Sequence, residues 1–158
     1  MPETLARKAF QAFCPVLRNW TVNWEQRVTE IRKSYNLPFG QNILTPKNVG
    51  IARCSINGET FEIFAISGKK DIYKGAVGLP KDPPIFKLLD PPPMHDRKYD
   101  TEYKLLEEIA SRYTQNKNVQ GKIELFTERP PCLSCQNIIG QFRQVFPNIE
   151  LNVHSGQG

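Results

Sequence analysis

Residues 121–153 read GKIELFTERPPCLSCQNIIGQFRQVFPNIELNV, and three regular elements follow one another in this stretch. Residues 121–127 read as a strand. Past the two prolines the apolar spacing becomes helical over 133–146, with Ile138, Ile139, Phe142, Val145 and Phe146 on the inward side. Pro147-Asn148 stops that helix, and Ile149 to Val153 form a last strand with Leu151 on the same face. A helix that joins two neighbouring strands favours a parallel pair with a right-handed crossover.

Upstream, Tyr103, Leu106, Ile109, Ala110 and Tyr113 predict a helix over 101–115. Residues 49–56 and 59–66 carry strand character on either side of Asn57-Gly58, a strong short hairpin signal. Between this hairpin and the helix lie Pro80, Pro83, Pro84, Pro91, Pro92 and Pro93, so residues 71–98 are expected as a loop pinned by Ile85, Phe86, Leu88 and Leu89. Leu5, Phe10, Phe13 and Leu17 mark a helix over 3–18, and Trp20, Trp24, Val28 and Ile31 a second over 21–36. The order is two N-terminal helices and then β-β-α-β-α-β, an α/β fold with one mixed sheet. We divide the chain into an N-terminal helical extension, 1–45, and a main domain, 46–158.

The chain has 158 residues, 39% of them hydrophobic, which suits one core of ordinary size. Its formal net charge of +5 is compatible with a polyanionic partner without identifying one. No apolar run approaches the roughly 20 residues of a membrane-spanning helix, and the start of the chain lacks the layout of a secretory signal. Of the four cysteines, Cys14 and Cys54 sit alone in apolar settings and read as small buried hydrophobes.

Cys132 and Cys135 are different. Two thiols three positions apart at a helix start can face one metal ion, and the helix N-terminus favours their anionic form. A redox pair or half of a structural zinc site uses the same spacing. A closed structural site would need a second such pair or two spaced histidines, and the chain's only histidines are His95 and His154. Thirty positions before Cys132 stands Glu102, in Asp100-Thr101-Glu102 at the start of the 101–115 helix. His-x-Glu followed by Pro-Cys-x-x-Cys is the general signature of zinc deaminases. Here the second half is complete, and the first has aspartate where histidine is usual.

The stretches Tyr99 to Glu107 and Phe126 to Cys135 together resemble the bacterial polymorphic-toxin deaminases of the cytidine deaminase-like superfamily, over about residues 49–154. The resemblance implies a mixed sheet with both motif helices against one face, and one zinc ion per chain. It implies Cys132, Cys135 and Asp100 as metal ligands, an open fourth position for water, and Glu102 as the proton shuttle. Asp100 has a plain alternative as a helix N-cap, and His95 is the rival third ligand. Glu102 in a first helical turn also complements the helix dipole without any catalytic role. His154 is read as following the last strand and having no part in the chemistry.

Ser67, Gly68, Thr127 and Glu128 end strands beside the implied pocket. Arg97 and Lys98, with Lys69 and Lys70, are candidates for phosphate contacts, which need only positive charge. Tyr99 and Tyr103 are candidates for stacking on a base. The expected function is hydrolytic deamination of cytosine to uracil in nucleic acid, with single-stranded DNA as partner. Adenine or RNA as substrate, and a non-catalytic zinc-binding module, are the alternatives. The resemblance further implies a monomeric toxin domain delivered to a target cytoplasm, with a cognate immunity protein and no membrane association.

Overall fold

Strand β1 (Val49–Ile56) is buried along nearly its whole length, so it must be covered on both faces. In the computed structural model, which describes residues 23–38, 47–68, 73–88 and 100–156, it lies inside a four-stranded sheet of order β2-β1-β3-β4. The strands β2 (Glu59–Ile66) and β3 (Gly121–Thr127) run antiparallel to β1 on either side. β4 (Ile149–Ser155) runs parallel to β3. The helices are α1 (Trp24–Ser34), α2 (Thr101–Arg112) and α3 (Leu133–Val145).

The expected β-β-α-β-α-β order is therefore the observed one, in an α/β architecture consistent with the cytidine deaminase-like fold. The hairpin turn follows from its sequence, because Asn57 and Gly58 both take positive φ, 52° and 82°, as a two-residue turn between twisted strands requires. The helix expected over 3–18 and the boundary placed at 45/46 lie outside the described residues.

Alternation along β1 sorts the two cores. Ala52, Cys54 and Ile56 face a cluster with Leu105, Leu106 and Ile109 of α2, Ile123 and Leu125 of β3, and Ile138 and Phe142 of α3. Val49 and Ile51 face the other way, onto Val28 and Ile31 of α1 and Phe126 of β3. Both motif helices thus lie on one face and α1 covers the opposite one. Trp24 of α1 stacks on Phe126 with centroids 5.2 Å apart, and Arg53 lies over the same indole at 4.2 Å.

Gly50 fixes how closely α2 approaches. A side chain there would meet Thr101 Cβ at 2.8 Å, so only glycine lets the first turn of α2 rest on β1. Further along, Glu107 of α2 accepts hydrogen bonds from the backbone N–H of Ile85 and Phe86, at 3.0 and 2.7 Å. Tyr103 donates its hydroxyl to the Phe86 carbonyl, so its ring serves the core and the docked loop. Phe86 is buried, but Ile85, expected as an apolar pin, is 39% exposed. Its segment is held by backbone hydrogen bonds to Glu107 and not by its own side chain.

Candidate metal centre

Asp100 and Cys132 occupy the N-cap positions of α2 and α3, and neither side chain makes a capping hydrogen bond. They turn toward each other. The Asp100 carboxylate accepts from the Cys135 thiol at 3.4 Å and lies 4.0 Å from Cys132 Sγ. Ligand atoms of Asp100, Cys132 and Cys135 all lie within 4.8 Å of one another. Two Zn–S bonds of about 2.3 Å and a Zn–O bond of about 2.1 Å in a tetrahedron would place sulfur and oxygen about 3.6 Å apart. The observed separations bracket that value, so these residues fit the group.

Glu102 stands beside this trio. Its Oε2 accepts from Cys135 Sγ at 3.5 Å and from the Thr101 hydroxyl at 3.3 Å. The Thr101 hydroxyl in turn accepts from Asn48 Nδ2 at 3.2 Å. Glu102 is 4% exposed. Burial raises its pKa and the nearby Asp100 charge raises it further, against hydrogen bonds that lower it. The Cys135 thiol is pushed up by burial first, and then by Glu102, Asp100 and Cys132. The charges that perturb both groups are other acids of the same site. Such a cluster is relieved by a cation.

Of the residues singled out from the sequence, Asp100, Glu102, Cys132 and Cys135 converge. Ser67 lies one link away, where its hydroxyl accepts from the Asn48 N–H at 2.8 Å. The Gly68 carbonyl accepts from the buried Lys104 ammonium at 3.0 Å. Thr127 is fully buried and donates its hydroxyl to the Arg129 carbonyl. The Glu128 carboxylate is engaged by Arg32 and by the Val49 N–H. His154 lies within β4 and not after it, paired in register with Phe126, and its Nε2 meets Glu124 at 2.6 Å. Arg97, Lys98, Lys69, Lys70, Tyr99 and His95 lie outside the described residues.

Two residues were missed. Asn48 and Thr101 carry no motif signal, yet they complete the amide-to-hydroxyl-to-carboxylate chain that ends on Glu102. The Asn48 side-chain oxygen Oδ1 is buried with no partner among the described residues. Cys54, by contrast, is the inert core thiol the sequence suggested, its pKa pushed up to about 12 by burial.

No described helix is long and apolar enough to cross a membrane. No curated protein matches the chain. The model of a toxin-deaminase family matches residues 32–157 and so spans the four strands, both motif helices and all four convergent site residues. With that match over most of its length, the chain belongs to the BURPS668_1122 family of deaminases.

Proposed function

We propose that this deaminase converts cytosine to uracil in nucleic acid, with single-stranded DNA as substrate and one zinc ion held by Asp100, Cys132 and Cys135. The observation that carries the reading is the placement of a buried, uncoordinating Glu102 carboxylate 3.5 Å from a thiol of the donor set. A zinc ion held by Asp100, Cys132 and Cys135 would supply an acidified water.

Glu102 does the proton work. Burial raises its affinity for a proton, which suits a group that must accept one from water and release it to a leaving amine. The Thr101 hydroxyl holds Oε2 in place, and Asn48 holds Thr101. The balance is one water consumed and one ammonia released, with the exocyclic C4–N bond broken and a carbonyl formed. A base in an unpaired strand reaches such a pocket without the unstacking that a duplex demands, which favours single strands. The positive net charge suits a polyanion. We further infer that the domain acts as a monomer after delivery into a target cytoplasm, where a cognate immunity protein restrains it.

The test pairs metal quantification with product sequencing on single-stranded DNA, duplex DNA, RNA and free nucleosides. The wild type is expected to bind zinc stoichiometrically and to convert cytosine in single-stranded DNA. Glu102→Gln is expected to keep the metal and lose about 10²–10⁴-fold in rate. Wild-type turnover by Glu102→Gln refutes the proton role. Stoichiometric zinc in Asp100→Ala removes Asp100 from the ligand set.

A further inference from the structure

We propose that Arg32 is a positioning residue for the metal centre, clamping the segment that leads to Cys132 and the strand end that supports the turn carrying Asp100. The proposal rests on the zinc reading above and adds a residue that no sequence motif marks.

Arg32 sits in the last turn of α1, on the sheet face opposite the motif helices, and is 7% exposed. Its guanidinium spends its donors on three segments at once. Nη2 and Nε meet the two Glu128 carboxylate oxygens at 2.5 and 3.1 Å. Nη1 donates to the Pro38 carbonyl at 2.8 Å, and Nη2 also donates to the Lys47 carbonyl at 2.7 Å. Glu128 passes the constraint on, because its Oε1 accepts from the Val49 N–H at 2.8 Å while its own N–H donates to the Val49 carbonyl.

Two paths lead from this clamp to the metal donors. The first runs along the chain from Glu128 through Arg129, Pro130 and Pro131 to Cys132. Two of these residues have φ fixed by a ring, and the two that precede a proline are held out of the helical region. This short strut is stiff, so the direction set at Glu128 is carried to the Cys132 sulfur. The second path leaves from Lys47 and Val49, the neighbours of Asn48. The Asn48 amide donates to Thr101, between Asp100 and Glu102. One guanidinium therefore holds the loop that presents a thiolate and the strand end that supports the carboxylates. Lysine offers a single point charge and not a planar fork, so it cannot satisfy this set of acceptors.

The experiment uses the full chain and measures zinc affinity by competition with a chelator, alongside thermal midpoint and steady-state kinetics. Arg32→Lys is expected to weaken zinc about 10–100-fold, in the range seen when residues behind metal ligands are changed. Its kcat is expected to fall while KM stays within about twofold, as for a group that acts on the reacting geometry and not on substrate binding. Arg27→Gln is the matched control. Arg27 ties the same helix to β2 through Glu62, at 2.6 Å, and touches neither donor segment. It is expected to lower the thermal midpoint and leave zinc affinity unchanged.

Glu128→Gln keeps the shape and the acceptor for Val49 but loses the charge, and is expected to weaken zinc even where Arg32→Lys fails to fold. Zinc affinities of Arg32→Lys and Glu128→Gln that equal the wild type, or that fall only in step with thermal midpoint as in Arg27→Gln, overturn the proposal while leaving the metal reading intact. A wild type that binds no zinc overturns both.

Discussion

Replacing Gly50 with alanine adds one methyl group at the place where α2 rests on β1. That carbon would lie 2.8 Å from Thr101 Cβ, 2.9 Å from Thr101 Oγ1 and 3.1 Å from Leu105 Cδ1. Carbon atoms settle at about 3.5–4.0 Å, so the first turn of α2 must retreat by roughly 0.7–1.2 Å or β1 must bend. Thr101 is fully buried and its Cβ is fixed to the backbone, so no side-chain rotation relieves the contact. Overpacking of this kind costs about 1–3 kcal/mol. At this chain length, that lowers the thermal midpoint by about 2–12 °C. The displaced turn carries Asp100 and Glu102, and metal–ligand distances tolerate only about 0.2 Å of error, so zinc affinity is expected to fall as well. Gly140→Ala gives the opposite sign. It lies inside α3 with nothing within 4 Å of the added carbon, so helix propensity gains about 0.5–1 kcal/mol. Thermal unfolding followed by circular dichroism, with a zinc competition titration, reads both variants. A Gly50→Ala protein with wild-type midpoint and wild-type zinc affinity would refute the idea that this close approach sets the site.

Other perturbations probe the loop and the far edge. Glu107→Ala leaves the buried N–H of Phe86 without its acceptor, at about 1–3 kcal/mol, and the part-buried N–H of Ile85 at less; faster hydrogen exchange at those two amides is the local sign. Unchanged protection there would show that the segment is held by something else. Glu124 feels some burial, which raises its pKa, but hydrogen bonds from His154, Asn152 and Lys122 outweigh it and hold the group below its ordinary 4.5. A depressed carboxylate stabilises the fold above the unfolded-state pKa and loses that contribution as pH falls through the folded-state value. Glu124→Gln is therefore expected to be less stable than wild type, by under about 1 kcal/mol, from pH 5 to 7 and to converge with it as pH falls through the depressed folded-state value, as denaturant midpoints would show. A gap that persists or widens toward acid would reverse the assignment.

The fold was legible wherever periodicity and punctuation agreed. Asn57-Gly58 announced its hairpin, and Pro147-Asn148 ended α3 where the apolar spacing ended. The error at β4 has a local cause. His154 and Ser155 carry no strong strand signal after Val153, and β4 extends to Ser155 because β3 supplies a parallel partner through Thr127. The convergence of Asp100, Cys132 and Cys135 was legible because their spacing is chemical. Arg32, Asn48 and Glu128 were not. Each acts through contacts between residues far apart in sequence, 96 positions for Arg32 and Glu128 and 53 for Asn48 and Thr101. A glutamate at a strand end reads as a candidate substrate contact, and only the folded chain shows its pairing with a distant arginine.

The aspartate in place of histidine is intelligible from helix geometry. Asp100 is the N-cap of α2 and Glu102 stands two residues on; Cys132 is the N-cap of α3 and Cys135 stands three residues on. N-cap and third-residue side chains of one helix face each other, which is why a capping box closes across that interval and why two sulfurs at the same interval can share an ion. Leu133, between them in sequence, is left 74% exposed. Both helices therefore aim their N-termini at one point, each bringing roughly half a positive charge from unpaired backbone N–H groups. With a divalent ion bound, three anionic donors would leave the site one net negative charge, where a histidine would leave it neutral. Two helix N-termini converging on the trio would offset part of that negative charge.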